Sequence, residues 1–272
     1  MQYLDKKYNF LIPIKYPNLK RYGRNGDGGY VCESNIIKSS DILITFGMGP
    51  DWSFELDYIK DNSEVKIFMY DYTVTSLPYV KDVLKYFKRF ITFRGKPNAL
   101  SDRIKYLKNY LNFFKLQNVN FFPEKITFPK KNKIDTDINK VFSRIDMNNS
   151  IKEKSVILKS DIEGSEFEII DGIVDYSNRI NALIFEFHWL DKNEEIFLES
   201  IKKLQKFFDI VHIHGNNHCD KLSTGLPITL EMTLVNKKYG PEKKEFIRSF
   251  PIKGLDSPNN PTKVDLFFQF NI

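Results

Sequence analysis

Short apolar runs rich in β-branched and aromatic residues alternate along the chain with segments whose apolar positions recur at helical spacing. The segment 192–207 shows this spacing well, because Phe197, Ile201 and Leu204 fall on one face of a helix. Strands that alternate with helices are typical of a mostly parallel sheet with crossover helices. The predicted strands are Asp41–Phe46, Val65–Tyr70, Phe90–Phe93, Ser155–Ser160, Ala182–Phe187, Ile210–His214 and Thr229–Asn236.

The predicted helices lie between these strands, at Ser53–Lys60, Leu77–Lys88, Ser101–Phe114, Asp137–Ile145, Ser165–Gly172 and Lys192–Phe207. The last two strands are joined by residues 215–227, a loop too short for a crossover helix, so we expect them to pair antiparallel. The sequence therefore predicts an α/β fold with a seven-stranded, mostly parallel sheet in which the last strand pair is antiparallel.

A length of 272 residues, with 42% hydrophobic and 15% aromatic residues, suits one large α/β domain. No apolar run is long enough for a membrane span, and the first residues lack the apolar core of a signal peptide. We therefore expect a cytoplasmic protein whose two cysteines, Cys32 and Cys219, are free thiols.

The net charge of +6 favours an anionic partner. The lysines are scattered, however, and the longest basic runs, such as Lys130–Lys131, are short. The sequence also lacks an arginine-rich arm and an RNA-binding aromatic motif, so a nucleic-acid partner is not expected. A phosphate-bearing small substrate fits this modest charge better.

Two glycines, Gly47 and Gly49, come directly after the first long apolar strand. Glycine at the end of a buried strand lets the backbone approach a ligand without a Cβ in the way. A dinucleotide-binding turn would need a third glycine where this chain has Trp52, so the spacing favours a nucleoside without a pyrophosphate. Asp71 ends the next strand, where a carboxylate either accepts hydrogen bonds from both ribose hydroxyls or caps the following helix.

The strongest candidate site follows the fourth predicted strand. That strand delivers Asp161 and Glu163 to the carboxyl edge of the sheet, where open α/β sheets bind ligands, and Gly164 permits a sharp turn into a helix. Two carboxylates separated by one residue suit metal ligation, or a general base with an orienting partner. Glu186 and His188 share one face at the end of the next strand and are predicted to complete the site, with a core histidine as the competing interpretation.

Three histidines and a thiol lie between His212 and Cys219, but their spacing matches no zinc site. His214, Asn216 and Asn217 fall at a strand end, which suits the recognition of substrate hydroxyls or the abstraction of a proton. His214 is the candidate base if no metal binds.

Near the start of the chain, four glycines in seven residues surround Asp27 and precede Tyr30. Such a turn can hold an anion with its backbone amides, and a plain hairpin turn is the competing interpretation. We predict that Asp27 and Tyr30 contact the substrate.

Taken together, these blocks resemble the FkbM-type branch of the class I methyltransferases that use S-adenosylmethionine (SAM). The segment 158–166 is similar to that family's motif, a hydrophobic residue followed by Lys-x-Asp-x-Glu-Gly-x-Glu. Further segments that resemble a subgroup of the family are 27–30, 46–55, 214–217 and 230–233, so that the resemblance spans residues 21–265.

The resemblance implies a Rossmann-like fold, formed as a single domain by residues 1–272, with a SAM pocket in which the glycine turn holds the cofactor and Asp71 binds the ribose. We also expect residues 1–40 and the variable region 95–151 to shape the substrate pocket. Members often O-methylate sugars, so we expect O-methylation of a sugar hydroxyl, on a nucleotide-diphosphate sugar or a precursor of a capsule or surface polysaccharide. N-methylation of a small phosphorylated amine and a nicotinamide-dependent oxidoreductase are the alternatives, and a homo-oligomer is left open.

The candidate residues fall into four groups. The catalytic candidates are Asp161, His214, His188 and Glu186. The cofactor-binding candidates are Phe46, Gly47, Gly49, Asp71, Ser101 and Asp161. The substrate-binding candidates are Asp27, Tyr30, Glu163, Asn216 and Asn217. A divalent cation, Mg²⁺ or Mn²⁺, would be held by Asp161, Glu163 and His188 and would lower the pKa of the acceptor hydroxyl.

Overall fold

The structure is a computed structural model, and it describes residues 3–94, 96–147 and 155–271. The strands in chain order are β1 (Leu19–Tyr22), β2 (Tyr30–Glu33), β3 (Ile42–Phe46), β4 (Lys66–Tyr70), β5 (Val119–Phe122), β6 (Lys125–Ile126), β7 (Asp135–Thr136), β8 (Val156–Ser160), β9 (Ile180–Phe187), β10 (Phe208–Gly215), β11 (Leu230–Asn236), β12 (Ser249–Phe250) and β13 (Phe268–Gln269). The helices are α1 (Ser34–Ser39), α2 (Ser53–Asp61), α3 (Leu77–Ile91), α4 (Pro97–Phe113), α5 (Ile138–Met147), α6 (Ile170–Asp175) and α7 (Leu190–Leu204).

Seven of the strands form one sheet in the order β10-β11-β9-β8-β3-β4-β5. From β9 to β5 every neighbouring pair is parallel, whereas β11 runs antiparallel to both β9 and β10. The fold is therefore Rossmann-like, with a reversed strand inserted near one edge. This arrangement confirms the predicted seven-stranded, mostly parallel sheet with an antiparallel last strand pair.

The central strands are buried on both faces, because helices cover the two sides of the sheet. All five residues of β3 and all five of β8 are buried. Alternate residues of β3 enter different cores: Ile44 packs in the core that includes α5, α6 and α7, and Leu43 packs in the core that includes α1 and α2. The continuous apolar runs noted in the sequence are thus the expected pattern for parallel strands covered twice.

The predicted strand Phe90–Phe93 is wrong. Phe90 and Ile91 belong to the last turn of α3, and Phe93 is 99% exposed in the turn that follows. The strand that follows β4 at this edge of the sheet is instead β5, almost thirty residues further along the chain. A short run of aromatic and β-branched residues is ambiguous by itself, and here it continues the helical spacing set by Leu84 and Phe87.

Helices α3 and α4 pack against each other to form a helical hairpin, which we define as residues 77–116. Its base lies on Trp52, whose ring stacks on Phe113 at a centroid distance of 5.6 Å. Tyr79 and Tyr110 pair at the same end. No residue of α3 is buried, so the hairpin projects from the sheet.

Of the segments expected to shape the substrate pocket, residues 1–2, 95 and 148–151 lie outside the described residues. Among the helices that the structure describes, none is long and apolar enough to cross a membrane.

Candidate active site

The carboxyl ends of three neighbouring parallel strands meet at one cavity. Phe46, the last residue of β3, is level with the last residues of β4 and β8. The residues that follow these ends, Gly47, Asp71 and Asp161, all line a cavity of about 460 Å³. This volume lies within the range of small-molecule sites, which is about 300–1,000 Å³. The strand ends therefore form a concave site where α/β sheets generally bind ligands.

The turn after β3 requires glycine. Gly47 has a φ of +68°, and a Cβ at this position would overlap the backbone carbonyl of Asp161. Gly49 has a φ of +62°, but a Cβ there would meet only open space. Gly47 therefore lets two strand ends approach each other, whereas Gly49 supplies a left-handed backbone beside the cavity.

Asp71 holds this glycine turn in place. One carboxylate oxygen accepts hydrogen bonds from the backbone amides of Met48, at 3.0 Å, and Gly49, at 2.9 Å. The other oxygen accepts from the amide and the hydroxyl of Thr73, at 2.7 and 2.6 Å. The four lone-pair positions of the carboxylate are thus occupied by protein donors. This bracing role is neither of the two roles considered from the sequence, and a ribose hydroxyl would have to displace Thr73.

A buried network of hydrogen bonds connects Asp161 with the next strand. The Tyr30 hydroxyl lies 2.9 Å from a carboxylate oxygen of Asp161 and 3.1 Å from one of Glu186. The side-chain amide of Asn216 donates to Glu186 at 2.7 Å. Burial raises the pKa of the Asp161 carboxyl, against the lowering effect of the nearby Lys159. Burial and the charge of Asp161 raise the pKa of Glu186 further.

His188 lies at the centre of these acidic groups. Its Nδ1 is 2.9 Å from Glu166, and its Nε2 is 3.7 Å from Asp161 and Glu163 and 3.8 Å from Glu186. Burial alone lowers the pKa of the imidazole, but the hydrogen bond to Glu166 and the surrounding carboxylates raise it to about 10. A protonated imidazole has no lone pair, so His188 does not serve as a general base in this state.

The same group has the composition of a cation site. One ligand atom from each of Asp161, Glu186 and His188 lies within 4.8 Å of the others. The contact of His188 Nδ1 with Glu166 leaves Nε2 facing the carboxylates, which is the usual way in which an outer carboxylate orients a metal-binding histidine. The sequence proposed Glu163 as the third ligand, and its carboxylate lies beside the group on an exposed side chain.

His214 is enclosed by carboxylates. It is fully buried, with Nδ1 3.0 Å from Glu231 and Nε2 3.1 Å from Asp265. Burial lowers its pKa, but the carboxylates of Glu231 and Asp265 raise it to about 10, so that both ring nitrogens carry protons. The catalytic role of His214 stays a prediction, and the structure holds the ring between two carboxylates.

Some of the remaining predicted residues lie at the cavity or contact residues that do, and others lie away from it. Asp27 and Glu163 line the cavity, and Tyr30 and Asn216 reach it through Asp161 and Glu186. Three predicted residues lie elsewhere: Phe46 is a fully buried core residue, Ser101 is exposed on α4, and Asn217 binds backbone atoms of Asn260.

Several cavity residues were not predicted. Glu124, Lys125 and Ile126 follow β5, the strand that the sequence misplaced, and Arg24 and Thr73 also line the cavity. In contrast, the role of Glu166 was readable in principle, because it is the last acid of the motif 158–166.

The lining of the cavity is acidic. It contains six carboxylates against two cationic side chains: Asp27, Asp51, Asp71, Glu124, Asp161 and Glu163 against Arg24 and Lys125. Arg24 is paired with Asp51 at 3.1 Å and Glu124 with Arg144 at 2.6 Å, which leaves Asp27, Asp71, Asp161 and Glu163 against Lys125. The cavity therefore favours a cationic or neutral ligand over a polyanion.

The chain matches no family model and no curated protein sequence. Solved structures to which it is similar include a putative rRNA-methylase from Clostridium thermocellum, with a TM-score of 0.39, 11% identity, and coverage of 75% of this chain and 90% of that one. A fibrillarin–Nop5p complex has a TM-score of 0.38 and 10% identity, with coverage of 73% of this chain and 73% of that one. Precorrin-6y C5,15-methyltransferase from Geobacter metallireducens GS-15 has a TM-score of 0.35 and 11% identity, with coverage of 75% of this chain and 86% of that one.

Proposed function

We propose that the protein is a SAM-dependent methyltransferase that methylates a hydroxyl group of a sugar. The observation that carries the proposal is that Gly47, Asp71 and Asp161 line one cavity at the carboxyl ends of three parallel strands. The motif resemblance to the FkbM-type branch supports the same activity.

The charge of the cavity supports SAM over a nicotinamide dinucleotide. SAM carries a sulfonium and an ammonium cation against a single carboxylate, which suits a site with an excess of carboxylates, whereas a dinucleotide brings a pyrophosphate. The position of the missing third glycine is filled by Trp52, which anchors the helical hairpin and is not a phosphate cradle. The residues around the glycine turn would hold the cofactor, and the cofactor would supply an activated methyl group.

Asp161 is the residue that we propose as the general base. Tyr30 holds one oxygen of its carboxylate, while the side chain remains 26% exposed at the cavity. A pKa raised by burial makes the carboxylate more basic and brings it closer to neutral pH, which favours proton transfer from a weakly acidic hydroxyl.

The acidic lining also bears on the acceptor. The sequence favoured a phosphorylated substrate because the whole chain is basic, yet the cavity itself carries more carboxylates than cations. A neutral sugar with several hydroxyls would find many hydrogen-bond acceptors here, whereas a diphosphate would face repulsion. We therefore favour a sugar unit without an adjacent phosphate over a nucleotide-diphosphate sugar or a phosphorylated amine.

A divalent cation is an alternative arrangement of the same residues, in which His188 has released its proton and Asp161 is a ligand and not the general base. Asp161, Glu186 and His188 would hold it, and it would supply Lewis acidity at the acceptor hydroxyl. With His188 neutral, the three buried or partly buried carboxylates around it leave negative charge that a cation would neutralise. Calorimetric titration with Mn²⁺ tests this arrangement, and we expect the wild type to bind the ion. Glu186→Gln should bind it roughly tenfold more weakly or worse, because one charged ligand is lost. The exposed control Glu242→Gln should bind it as the wild type does. Equal binding to all three would reject the site.

The main experiment compares cofactor binding with methyl transfer. Calorimetry with SAM and with NAD, followed by labelled-SAM transfer to a panel of mono- and oligosaccharides, should show SAM binding and a labelled sugar. Asp161→Asn should lower the transfer rate by roughly 10²–10⁴-fold, the usual contribution of a general base, with a much smaller effect on SAM affinity. The matched control is Asp171→Asn, at an exposed acid of α6 paired with Lys203.

Two results would overturn the proposal. Binding of NAD without binding of SAM would favour the oxidoreductase alternative. Full transfer activity in Asp161→Asn would show that another group removes the acceptor proton.

A further inference from the structure

One face of α3 is apolar and exposed along its whole length. Leu77, Val80, Leu84, Phe87 and Ile91 are each between 38% and 61% exposed. Their spacing of three and four residues places them in one row on the helix. The row faces solvent and not the protein, because the opposite side of α3 packs on α4, where the Tyr86 ring lies 5.0 Å from the guanidinium of Arg103.

The turn at the end of the helical hairpin extends this apolar surface. Phe93 is 99% exposed and lies two residues after the last apolar position of α3. Single exposed apolar residues are common on soluble proteins, but a continuous row that ends in a fully exposed aromatic side chain marks an interaction surface.

The helical hairpin also carries the positive charge of the protein. Residues 77–116 contain ten Lys or Arg and two Asp, a net charge of +8. Because the whole chain has a net charge of +6, all other residues together carry −2. The basic character of the sequence is therefore a property of this one projection and not of the molecule as a whole.

We propose that the helical hairpin binds the surface of an anionic phospholipid bilayer. An amphipathic helix with Lys and Arg on its polar side lies in the plane of such a surface and buries its apolar row among the acyl chains. Lys81, Lys85 and Lys88 flank the apolar row on α3 and would meet the lipid phosphates. This surface is distinct from the cavity, and the proposal does not depend on the proposed function.

The charge and the exposed apolar row together favour a membrane over the other occupants of such a surface. A second copy of the chain would place two projections of +8 against each other, which is repulsive. A nucleic acid would satisfy the charge but would leave the aliphatic row of Leu77, Val80 and Leu84 without a partner, because nucleic-acid interfaces are polar.

The test is sedimentation of the full chain with vesicles of phosphatidylcholine alone or mixed with phosphatidylglycerol, without SAM or acceptor. We expect binding to the mixed vesicles, little binding to neutral ones, and weakening by salt. Leu84→Gln with Phe87→Gln should weaken binding roughly tenfold or more, as should Lys85→Gln with Lys88→Gln and Arg89→Gln.

Helix α7 and the turn that follows it supply matched controls that remove similar groups elsewhere. Ile196→Gln with Phe207→Gln removes two exposed apolar side chains, and Lys192→Gln with Lys202→Gln and Lys206→Gln removes three exposed charges. Both controls should bind the mixed vesicles as the wild type does. A loss in the controls equal to that in the α3 variants would overturn the proposal, because it would show a diffuse effect of hydrophobicity or charge.

Hydrogen exchange of the wild type provides a measurement that needs no variant. Mixed vesicles should slow exchange in residues 77–94 and leave β3 and β8 unchanged. Absence of sedimentation, equal binding to neutral vesicles, or concentration-dependent dimerisation that protects α3 without lipid would each overturn the proposal. A positive result with no methyl transfer would contradict only the proposed function.

Discussion

Six carboxylates and two cationic side chains line the cavity, whereas the helical hairpin, residues 77–116, carries ten cationic side chains and two carboxylates. The two regions are adjacent, since Trp52 connects the glycine turn to the base of the hairpin. Their opposite charges show that the net value of +6 describes neither region. The charge that a ligand meets is therefore set by the residues of the region it binds and not by the net charge of the whole chain.

The two regions also differ in how strongly their conformation is determined. At the cavity, a glycine without room for a Cβ, a fully bonded aspartate and a buried acidic network fix each side chain through several contacts. In the helical hairpin, α3 has no buried residue and packs mainly on α4. We therefore expect substitutions at the cavity to have large effects on folding or binding, and those on the exposed face of α3 to have small effects on folding.

The largest effect is expected for Gly47→Ala. The new Cβ would overlap the backbone carbonyl of Asp161, and a rigid strand end cannot move as a flexible side chain would. The left-handed φ of +68° adds strain. We expect a loss of about 4 kcal/mol or more in the free energy of unfolding, measured with urea, together with loss of SAM binding.

Gly49→Ala is the matched control within the same turn. It has a similar φ of +62° but open space around the new Cβ, so it should lose only about 1 kcal/mol. Equal losses for the two variants would mean that backbone strain alone, and not the close approach of two strands, makes glycine necessary here.

Much of the cavity region could be predicted from sequence for a simple geometric reason. Parallel strands end at a shared edge, so Asp161 and Glu186, each placed at the end of an apolar run, had to lie near each other. Gly47 and Asp71 reach that edge for the same reason. The sequence does not show that the carboxylate of Asp71 turns back to the amides of Met48 and Gly49, because that depends on the course of a loop.

Two predictions depended on tertiary structure that the sequence does not show. His214 was a plausible base at a strand end, but Glu231 and Asp265 lie 17 and 51 residues further along and enclose its ring. The misplaced strand Phe90–Phe93 had a different cause, since an apolar row that faces solvent looks like core material in a sequence. Both cases concern which surfaces are covered, and that information is tertiary.

The second prediction concerns the pH dependence of stability through His214. Its pKa is about 10 in the folded protein, against an ordinary value of 6.5 for a histidine in an unfolded chain, so the folded state holds a proton that the unfolded state releases. This contribution is fully present below the unfolded pKa and is lost as pH rises towards the folded pKa. We expect the free energy of unfolding to fall by about 2 kcal/mol per raised histidine from about pH 7 to about pH 9.

His214→Asn removes the contribution of His214 to this pH dependence. His188, whose pKa is similarly raised, remains in the variant and keeps its own contribution. The variant should be less stable near neutral pH, since Glu231 and Asp265 lose their buried partner, but its stability should fall less steeply with pH. Identical slopes for wild type and variant in urea titrations would show that the ring is neutral in the folded protein.

The third prediction distinguishes the two roles of Asp71. Asp71→Asn replaces one acceptor oxygen by a donor, so either the pair of amides from Met48 and Gly49 or the pair of donors from Thr73 loses its partner. We expect the free energy of unfolding to fall by about 1.5 kcal/mol and SAM binding to weaken with it. Thr73→Val, which removes one of the four hydrogen bonds, should cost about half as much. Weaker SAM binding with unchanged stability would instead indicate direct contact with the ribose.

The smallest effect is expected in the helical hairpin, at the exposed apolar row of α3. Leu84 is 61% exposed, so Leu84→Gln removes little buried apolar surface, and both residues favour helix. The free energy of unfolding should change by less than about 0.5 kcal/mol. The matched substitution at a packed position is Leu204→Gln on α7, a fully buried leucine, where the amide would be buried without a hydrogen-bond partner at a cost of about 3 kcal/mol. Urea unfolding of the two variants measures the contrast directly. If Leu84→Gln were as damaging as Leu204→Gln, the row on α3 would be covered by protein in solution, and the distinction between a determined cavity and a projecting hairpin would fail.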